Sequence, residues 1–477
     1  MQPYRNLIGG EWVGTSGVMN INPSDTGDVV GEFARATEAD TLDAIAAARA
    51  AFPAWSSTTP ATRGTILRSA STLLMARREE LGTQLSREEG KTLAEGIGEV
   101  TRAAQIFDFF AAETQRLAGE SLASVRPGIE VTVTREPLGV VGIITPWNFP
   151  MAIPAWKIAP ALCHGNAVVF KPAELVPASA WSLVSVLQES GLPAGVLNFV
   201  NGPGSVVGNT LVNDPRVDGI SFTGSVATGQ RIVVAAASRF GKVQLEMGGK
   251  NPLVVLDDAD LDIAVDCAVN GAYFSTGQRC TASSRLIVTR GIHDRFVDAL
   301  IRRLEQLTVG HALHEGTEVG PVVNDSQLAS NLTYIDVGKA EGAHLAFGGE
   351  VLERLTPGYF MVPALFTGAT NDMRIAREEI FGPVACVIEA RDFEEALHLA
   401  NDTEYGLASG ICTTSLKMAS VYRQKAQAGM VMVNLPTAGV DFHVPFGGRK
   451  RSSYGPREQG RAAAEFYTSI KTAYTLP

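Results

Sequence analysis

The sequence predicts an α/β protein made of two doubly wound α/β domains and a small β extension. The chain has 477 residues, more than one hydrophobic core usually serves, so two or three domains are expected. From about residue 139 onward, short apolar runs alternate with helical patterns, as in parallel sheets that helices cover on both faces. Two further segments alternate in polarity or are extended without a nearby core of their own, which indicates the extension.

The part of the chain before the first sheet is predicted to be helical. Helical patterns cover about residues 37–52 and 62–85, and the first opens with Thr37-Glu38-Ala39-Asp40, which has the form of a capping box. No internal repeat and no low-complexity tract is present in the chain. We assign both helical patterns to the first domain.

The first α/β series has four predicted strands, most of them apolar and followed by a turn residue. They cover residues 139–144, 166–170, 196–200 and 219–222. Helices are predicted between or after them, over residues 177–190, 205–212 and 226–240. Strands separated by helices of this length form βαβ units, and a row of such units is the doubly wound layout that binds nucleotides.

A second α/β series follows and defines the second domain. It begins at residues 252–256 and runs to residues 431–434. The predicted division of the chain is a first domain of residues 1–117 and 136–247, a second domain of residues 248–450, and extension segments of residues 118–135 and 451–477.

The extension is predicted from its pattern alone. Residues 121–136 alternate around Pro127-Gly128, as in a projecting hairpin, and residues 473–477 are extended. Two such segments without a core of their own suggest contacts between the subunits of a homodimer or homotetramer. A local edge hairpin is the alternative.

Composition and charge argue against several partners and sites. A net charge of −10 disfavours binding to nucleic acid or to an anionic membrane. Lys157 and His164 interrupt the longest candidate for a membrane span, and residues 1–5 show no apolar region of a signal peptide. The five cysteines are far apart, and the only close histidine pair, His311 and His314, lies in a predicted loop. We therefore expect no disulfide framework, no metal and a reducing cytoplasm.

One cysteine has the surroundings of a nucleophile. Cys280 lies in Gly277-Gln278-Arg279-Cys280-Thr281, after a polar turn. A nearby cation favours the thiolate, which is the nucleophilic form. Upstream, Glu246 precedes the double glycine Gly248-Gly249. A cysteine and an isolated carboxylate form a pair for covalent catalysis, in which one attacks and the other activates water. The alternative for Cys280 is a buried, inert thiol.

The motifs around Glu246 and Cys280 together resemble the aldehyde dehydrogenase family. Residues 145–150 resemble the family segment whose asparagine, here Asn148, forms half of the oxyanion hole. An amide NH₂ is a neutral donor suited to a developing alkoxide. With the other motifs the resemblance covers nearly the whole chain, and it implies the family's fold of a cofactor domain, a catalytic domain and an oligomerisation extension.

The resemblance also implies a proton path and a late catalytic loop. Lys157 and Glu458 match positions thought to carry protons from the general base, and a surface charge pair is the alternative. Residues 445–448 resemble the late loop of the catalytic domain. Met247 stands where leucine is more usual, which conserves volume and should matter little.

The resemblance implies NAD as the cofactor, with NADP possible. No Gly-x-Gly-x-x-Gly motif occurs, and the family binds the dinucleotide in a variant mode without it. Lys171 and Glu174 would bind the adenosine ribose, whereas Glu379 would hold the nicotinamide ribose with Phe381 near the ring. Glu174 should repel a 2′-phosphate. The residues expected to contact the cofactor are Ile144, Thr145, Pro146, Trp147, Lys171, Pro172, Ala173, Glu174, Gly204, Gly208, Phe222, Thr223, Gly224, Ser225, Met247, Gly248, Glu379 and Phe381.

The mechanism that the resemblance implies is covalent. Cys280 attacks the aldehyde, and the oxyanion is held by Asn148 and the Cys280 backbone N–H. After hydride leaves for the nicotinamide, water activated by Glu246 hydrolyses the thioester. Three alternatives remain at this point: a CoA-acylating enzyme, which would not need Glu246; a cysteine hydrolase, which would need a histidine partner; and a non-catalytic binding protein on the same fold.

The expected substrate is a small aldehyde with a carboxylate at its far end. Residues 434–458 resemble those members of the family that oxidise α-ketoglutaric semialdehyde, and succinic semialdehyde or a broad range of aldehydes are the alternatives. Arg279 beside the nucleophile is the first candidate for the carboxylate, with Arg102 and Arg449 as others. Trp156 and Phe446 complete the predicted substrate site.

Overall fold

A computed structural model describes residues 4–15 and 17–477. Residues 1–3 and Ser16, which belong to the predicted first domain, lie outside the described residues, and so does most of the segment 1–5 in which a signal peptide was sought. The strands are β1 Asn6–Ile8, β2 Glu11–Val13, β3 Gly17–Asn22, β4 Asp25–Ala34, β5 Glu120–Ala123, β6 Glu130–Pro137, β7 Val140–Ile144, β8 Ala167–Lys171, β9 Leu197–Phe199, β10 Gly219–Thr223, β11 Lys242–Glu246, β12 Pro252–Val255, β13 Arg285–Thr289, β14 His344–Phe347, β15 Ala364–Thr367, β16 Val384–Ala390, β17 Ala408–Cys412, β18 Met430–Val433, β19 Ser453–Tyr454 and β20 Thr468–Thr475. The α-helices are α1 Glu38–Ser56, α2 Pro60–Ala76, α3 Arg78–Glu89, α4 Leu93–Glu113, α5 Ala152–Cys163, α6 Pro177–Glu189, α7 Asn209–Asn213, α8 Val226–Ala237, α9 Leu261–Ala272, α10 His293–Glu305, α11 Asp325–Ala340, α12 Arg374–Arg377, α13 Phe393–Asn401, α14 Leu416–Lys425 and α15 Ala464–Tyr467.

The first sheet is doubly wound. Its order is β19-β11-β10-β7-β8-β9-β1-β2, in which the five strands from β11 to β9 run parallel. Val141 and Ile143 face a layer formed by α2, α4, α5 and α6, whereas Val140 faces a layer that includes α1 and α7. Both faces are buried, which is why the strands read as continuous apolar runs in the sequence.

The second sheet repeats this architecture. Its order is β14-β15-β16-β13-β12-β17-β18, and all neighbours are parallel except β14 with β15. Leu253 and Val255 of β12 enter one hydrophobic core, and Val254 enters the core on the opposite face. The two doubly wound sheets confirm the predicted fold class.

The extension is a three-stranded antiparallel sheet in the order β20-β6-β5. Strand β20 pairs with β6 along its whole length, from Thr468 opposite Pro137 to Thr475 opposite Glu130. This confirms the predicted hairpin and the extended C-terminal segment. Leu122, Ile470 and Tyr474 on this sheet are exposed.

Several elements differ from the sequence prediction. The helix predicted over residues 62–85 is two helices, α2 and α3, separated at Arg77. The sequence does not reveal this one-residue break because the 3.6-residue apolar period continues across it. The helix predicted over residues 205–212 begins as a π-helical turn at residues 204–208. Strands β1 to β4 were not predicted.

The predicted C-terminal extension segment, residues 451–477, is shorter in the structure. Ser453 and Tyr454 pair with β11 of the first sheet, and Phe466 and Tyr467 lie in that sheet's core. Only β20 joins the extension, because the preceding residues carry buried aromatic side chains that the small sheet could not cover. Among the described residues, no helix has both the length and the apolar character needed to cross a bilayer.

Candidate active site

The site lies where neighbouring parallel strands end. Strands β7, β10 and β11 pair in parallel, so the segments that follow them meet at one edge of the first sheet. These segments carry Asn148, Ser225 and Gly248, respectively. Glu246 is the last residue of β11, and the Gly224 N–H donates to its carbonyl at 3.1 Å.

The turn before Cys280 is held in a strained backbone conformation. Ser275, Thr276 and Gly277 have φ of 50°, 56° and 65°, and a left-handed backbone at a residue other than glycine costs about 1–3 kcal/mol. Glu95 on α4 compensates by accepting bonds from both the Ser275 N–H and its hydroxyl at 2.8 Å. A Cβ atom on Gly277 would lie 2.2 Å from the Gly382 carbonyl oxygen. The turn therefore fixes the position of Cys280.

Cys280 borders a cavity of about 410 Å³ and is the least buried of the five cysteines, with part of its surface exposed to the cavity and the rest enclosed by protein. Burial raises the pKa of its thiol to about 12, and the carboxyl groups of Glu379 and Glu246 raise it further. Arg279 attracts the thiolate, as expected from the sequence, but desolvation outweighs that attraction. The thiol is neutral at rest and needs an acceptor for its proton.

Asn148 presents its side-chain amide to the turn that carries the cysteine. Its Nδ2 donates one N–H to the Gln278 carbonyl at 2.9 Å. The second N–H of the same amide can therefore donate to another acceptor. The main-chain carbonyl of Asn148 accepts a hydrogen bond from Lys91 Nζ at 2.7 Å. The residue is buried, with its side-chain amide held by Gln278 and its backbone held by Lys91.

Glu246 is a buried carboxyl group at the end of β11. Ser453 Oγ donates to its Oε2 at 2.5 Å, and a Cβ on Gly447 would lie 2.6 Å from Oε1. Burial raises the pKa of Glu246 well above its ordinary value, and the nearby Glu458 raises it further. Such a carboxyl group holds a proton more readily than an exposed glutamate and suits a general base.

Lys157 and Glu458 form a buried ion pair, so the alternative of a surface charge pair is excluded. Lys157 Nζ donates to Glu458 Oε1 and, at 3.0 Å, to Ser221 Oγ. Their side chains are 0% and 1% exposed. Burial raises the pKa of Glu458, which Lys157 opposes. The pair connects electrostatically to Glu246.

The cavity in front of Cys280 is lined by apolar rings and by charged side chains. The rings of Trp156 and Phe446 lie 5.2 Å apart and both border the cavity. Arg279 also borders it, but its guanidinium donates to Glu95 at 3.0 Å, to Ser275 Oγ at 3.0 Å and to the Asn270 carbonyl at 3.2 Å.

One group of residues predicted to bind the cofactor surrounds the double glycine after Glu246. The Gly249 N–H donates to Glu379 Oε1 at 2.8 Å, and a Cβ on Gly248 would lie 2.1 Å from Glu379 Oε2. Burial raises the pKa of Glu379 to about 7. Phe381 packs edge-on against Trp147, with ring centroids 5.4 Å apart. A side chain at residue 248 would displace the carboxyl group of Glu379 from its bond with the Gly249 N–H.

Another group of residues predicted to bind the cofactor lies around Lys171. Its Nζ donates to the Pro172 carbonyl at 2.6 Å, and burial lowers the pKa of this ammonium to about 8. A Cβ on Gly208 would lie 3.8 Å from its Cδ, while the same position on Gly204 is open space. Glu174 is exposed and lies 3.5 Å from Arg35.

The edge of the first sheet fits a dinucleotide. Among the described residues, the hydroxyls of Thr145 and Thr223 are buried there without a hydrogen-bond partner, which a polar ligand would supply. Ser225 caps the N terminus of α8, and a helix N terminus favours phosphate. The remaining residues predicted for the cofactor follow or lie in these strands and loops: Ile144, Pro146, Ala173, Phe222, Gly224 and Met247.

Comparison with known proteins decides the family. The sequence pattern of the aldehyde dehydrogenase family matches residues 12–473. The chain belongs to this family. An α-ketoglutaric semialdehyde dehydrogenase of Bacillus subtilis is 45% identical over 99% of this chain and 98% of its own length. An α-ketoglutarate semialdehyde dehydrogenase of Haloferax volcanii is also 45% identical, over 99% of both chains.

The fold comparison agrees with the family. The crystal structure of a betaine aldehyde dehydrogenase from Staphylococcus aureus, in complex with NAD⁺, superposes with a TM-score of 0.97 at 37% identity, covering 99% of this chain and 95% of the other. The predicted resemblance is therefore confirmed. The protein is an oxidoreductase that acts on aldehydes.

Two side chains that hold this aldehyde dehydrogenase's site together were missed by sequence reasoning. Asn251 Nδ2 donates to the carbonyls of Cys280 at 2.8 Å and of Ala282 at 3.0 Å. Ser453, the partner of Glu246, lies far along the chain. The segment Gly249-Lys250-Asn251 belongs to the glutamate motif. For Ser453, no local sequence signal connects a serine near the C terminus to β11.

A buried charge cluster below the site was also missed. Glu89, Lys91 and Glu99 are each at most 5% exposed, and Lys91 Nζ lies 2.6 Å from Glu99 and 3.8 Å from Glu89. Glu99 accepts bonds from the N–H groups of Met151 at 2.8 Å and Ala152 at 3.1 Å. Charged residues on helices usually face water, so their sequence predicts a solvated surface.

Metal ligation has no support in the described part of the chain. No three histidine, cysteine, aspartate or glutamate side chains cluster there as a metal site would require. The rings of His311 and His314 stack on each other at 4.5 Å.

Proposed function

We propose that this aldehyde dehydrogenase converts a carboxylate-bearing aldehyde into the corresponding acid through a thioester on Cys280. The observation that carries the proposal is the convergence of three groups. A cavity-facing thiol, a fixed amide from Asn148 and a buried carboxyl group from Glu246 meet at one end of the first sheet. The family supplies the reaction class, and the roles of these residues are inferred from their positions.

In the first step, Cys280 is the nucleophile. The thiol first loses its proton to solvent water in the cavity. A C–S bond then forms as the sulfur attacks the aldehyde carbon, and the carbonyl oxygen becomes an alkoxide. The free N–H of Asn148 Nδ2 and the Cys280 backbone N–H stabilise this charge. Removing one such donor typically costs on the order of 10²-fold in rate.

A bound NAD or NADP would accept the hydride and its two electrons from the tetrahedral carbon. The groups that would hold it are those around Lys171, Gly204, Ser225 and Glu379. The neighbour with NAD⁺ bound supports this assignment. Glu174 favours NAD over NADP because its carboxylate would repel a 2′-phosphate.

In the second step, Glu246 removes a proton from water, which attacks the thioester. The C–S bond breaks, the acid leaves, and the sulfur regains a proton. The proton on Glu246 passes toward Glu458 and Lys157. Because the pKa of Glu246 is raised, the fraction in the base form grows as pH rises, and hydrolysis accelerates with it.

The proposed substrate is α-ketoglutaric semialdehyde, oxidised to 2-oxoglutarate. The support is the name of the relatives that are 45% identical along their whole length. Succinic semialdehyde is the second candidate, since it has the same terminal groups on a shorter chain.

We further propose a homo-oligomer in the cytoplasm. The exposed apolar side chains of the extension support subunit contacts, and five free cysteines fit a reducing compartment. We also propose the division into domains. Residues 248–450 would form the catalytic domain, and the first sheet would belong to the dinucleotide-binding domain.

Absorbance at 340 nm tests the reaction. Purified enzyme with NAD⁺ and α-ketoglutaric semialdehyde should form NADH without CoA. A requirement for CoA would indicate the acylating reaction instead. No NADH from the aldehyde, together with hydrolysis of a thioester or ester of the corresponding acid, would indicate a hydrolase. A kcat/KM panel with succinic semialdehyde, betaine aldehyde and hexanal then tests the substrate.

A further inference from the structure

We propose that Arg102 binds the far carboxylate of the substrate and so determines the specificity of this enzyme for acidic aldehydes. The inference rests on the proposed function, because it assumes that the substrate carries such a group. Its starting point is the face that α4 turns toward the cavity.

Helix α4 presents one stripe of charged residues to the cavity. Glu95, Glu99 and Arg102 are spaced by four and three residues, so they lie on the same face of the helix, and all three border the cavity in front of Cys280. Glu95 contacts the turn that carries the nucleophile. Arg102 lies two turns farther along the helix, away from that turn.

Every other charge on the cavity wall has a partner. Glu95 is paired with Arg279 at 3.0 Å, and Glu99 is paired with Lys91 at 2.6 Å. Within the described residues, Arg102 forms neither a salt bridge nor a hydrogen bond. The wall therefore carries one uncompensated positive charge, and it resides on Arg102.

Arg102 has the surroundings of a binding group. It is half-buried, so the guanidinium is partly desolvated and would gain from a carboxylate in a bidentate contact. Desolvation lowers its pKa, and the exposed Asp441 opposes this shift, so the group stays charged. Asp441 lies beyond 4.0 Å and forms no ion pair with it.

The other candidate arginines fit less well. All three kinds of nitrogen in the Arg279 side chain already donate to protein oxygens, and binding a substrate would break its bond to Glu95. Arg449 is exposed and is not among the described residues that border the cavity. The same cavity wall also carries the apolar rings of Phe149, Trp156 and Phe446, which suit a short carbon chain.

The test compares an acid, its methyl ester and a neutral aldehyde in four proteins. Wild type, Arg102→Gln, Arg102→Lys and Arg449→Gln are assayed with α-ketoglutaric semialdehyde, the ester and hexanal. Arg102→Gln should lower kcat/KM for the acid by at least tenfold, mainly through KM, since a charged hydrogen bond is lost. Hexanal should be oxidised as by wild type, Arg102→Lys should retain part of the preference, and Arg449→Gln should match wild type.

A second readout needs no turnover of the acid. The product 2-oxoglutarate should inhibit hexanal oxidation competitively, and Arg102→Gln should raise its Ki at least tenfold. An unchanged Ki, or an equal loss for acid and hexanal, would overturn the role of Arg102 while leaving the proposed substrate in place. If wild type itself does not distinguish acid from ester, the substrate proposal fails and the inference fails with it.

Discussion

The central residue, Cys280, is neutral at rest because burial raises the pKa of its thiol to about 12. The attack on the aldehyde must therefore be coupled to loss of the thiol proton. The other four cysteines are buried and lie away from the cavity. These facts support the proposal that the covalent chemistry takes place on the sulfur of Cys280.

Cys280→Ala should abolish NADH formation, because no other thiol reaches the cavity. Binding of NAD⁺, measured by calorimetry, should persist, since the cofactor edge is formed by other residues. Cys267→Ala, which removes a buried thiol elsewhere, is the matched control and should keep its kcat. Turnover in Cys280→Ala comparable with that control would rule out the covalent route.

Glu174→Gln should raise the NADP⁺-to-NAD⁺ ratio of kcat/KM. The change removes the carboxylate expected to face a 2′-phosphate, and it leaves Arg35, now 3.5 Å from that carboxylate, free to contact the phosphate. Steady-state kinetics with both cofactors measure the ratio. Should the ratio stay at its wild-type value, Glu174 does not face the 2′-position.

For individual residues, the sequence predicts where the site lies but not the protonation states and long-range contacts of its groups. Cys280, Glu246 and Asn148 each stand in a local motif, so their positions could be predicted. The neutral thiol and the bond from Ser453 to Glu246 depend on burial and on contacts between distant segments. No local pattern carries that information.

Among the elements, the C-terminal end of α3 buries two carboxyl groups, those of Glu88 and Glu89. Burial raises the pKa of Glu88 to about 7 and that of Glu89 to about 8. Both groups bind protons more tightly in the folded state than in the unfolded one. Their contribution to stability is therefore full below the unfolded pKa and is lost as pH rises to the folded value.

We expect the melting temperature to fall between about pH 5 and pH 8, and Glu89→Gln should flatten this fall. The side-chain oxygen of the glutamine can still accept the hydrogen bond from the Lys91 backbone N–H, which Glu89 accepts at 3.1 Å. Differential scanning fluorimetry across this range measures the slope. Glu80→Gln, on the exposed surface of the same helix, should keep the wild-type slope. Equal slopes for Glu89→Gln and wild type would contradict the linkage.

Elements were predictable to different degrees, for physical reasons. The parallel strands β7, β8 and β10 are buried on both faces, so their apolar runs stand out. The one-residue break at Arg77 does not disturb the helical period, and it was missed. The short antiparallel strands β1 and β2 depend on pairing with β9 and each other, which local sequence does not reveal.

For the whole molecule, the three-stranded sheet of the extension exposes apolar side chains that a monomer would leave in water. Ile470 is 61% exposed and Tyr474 is 62% exposed. A sheet of three strands with an unpaired edge is a ready template for association. We therefore propose that this sheet forms the subunit contact of the proposed homo-oligomer.

Ile470→Asp should shift the oligomer toward smaller species, because it inserts a charge into the proposed contact. Size-exclusion chromatography with light scattering gives the mass. Leu355→Asp is the control, since Leu355 is equally apolar and fully exposed away from the extension. If both variants keep the wild-type mass, the extension does not hold subunits together.

The thioester on Cys280 is the central claim, and trapping it is the most direct test. Glu246→Gln, mixed with NAD⁺ and α-ketoglutaric semialdehyde, should release a burst of NADH close to one per active site and then turn over slowly, because the base for hydrolysis is missing. Mass spectrometry of the quenched protein should find the acyl group on the peptide that contains Cys280. A burst without an acylated Cys280 peptide, or steady turnover at the wild-type rate, would contradict the mechanism.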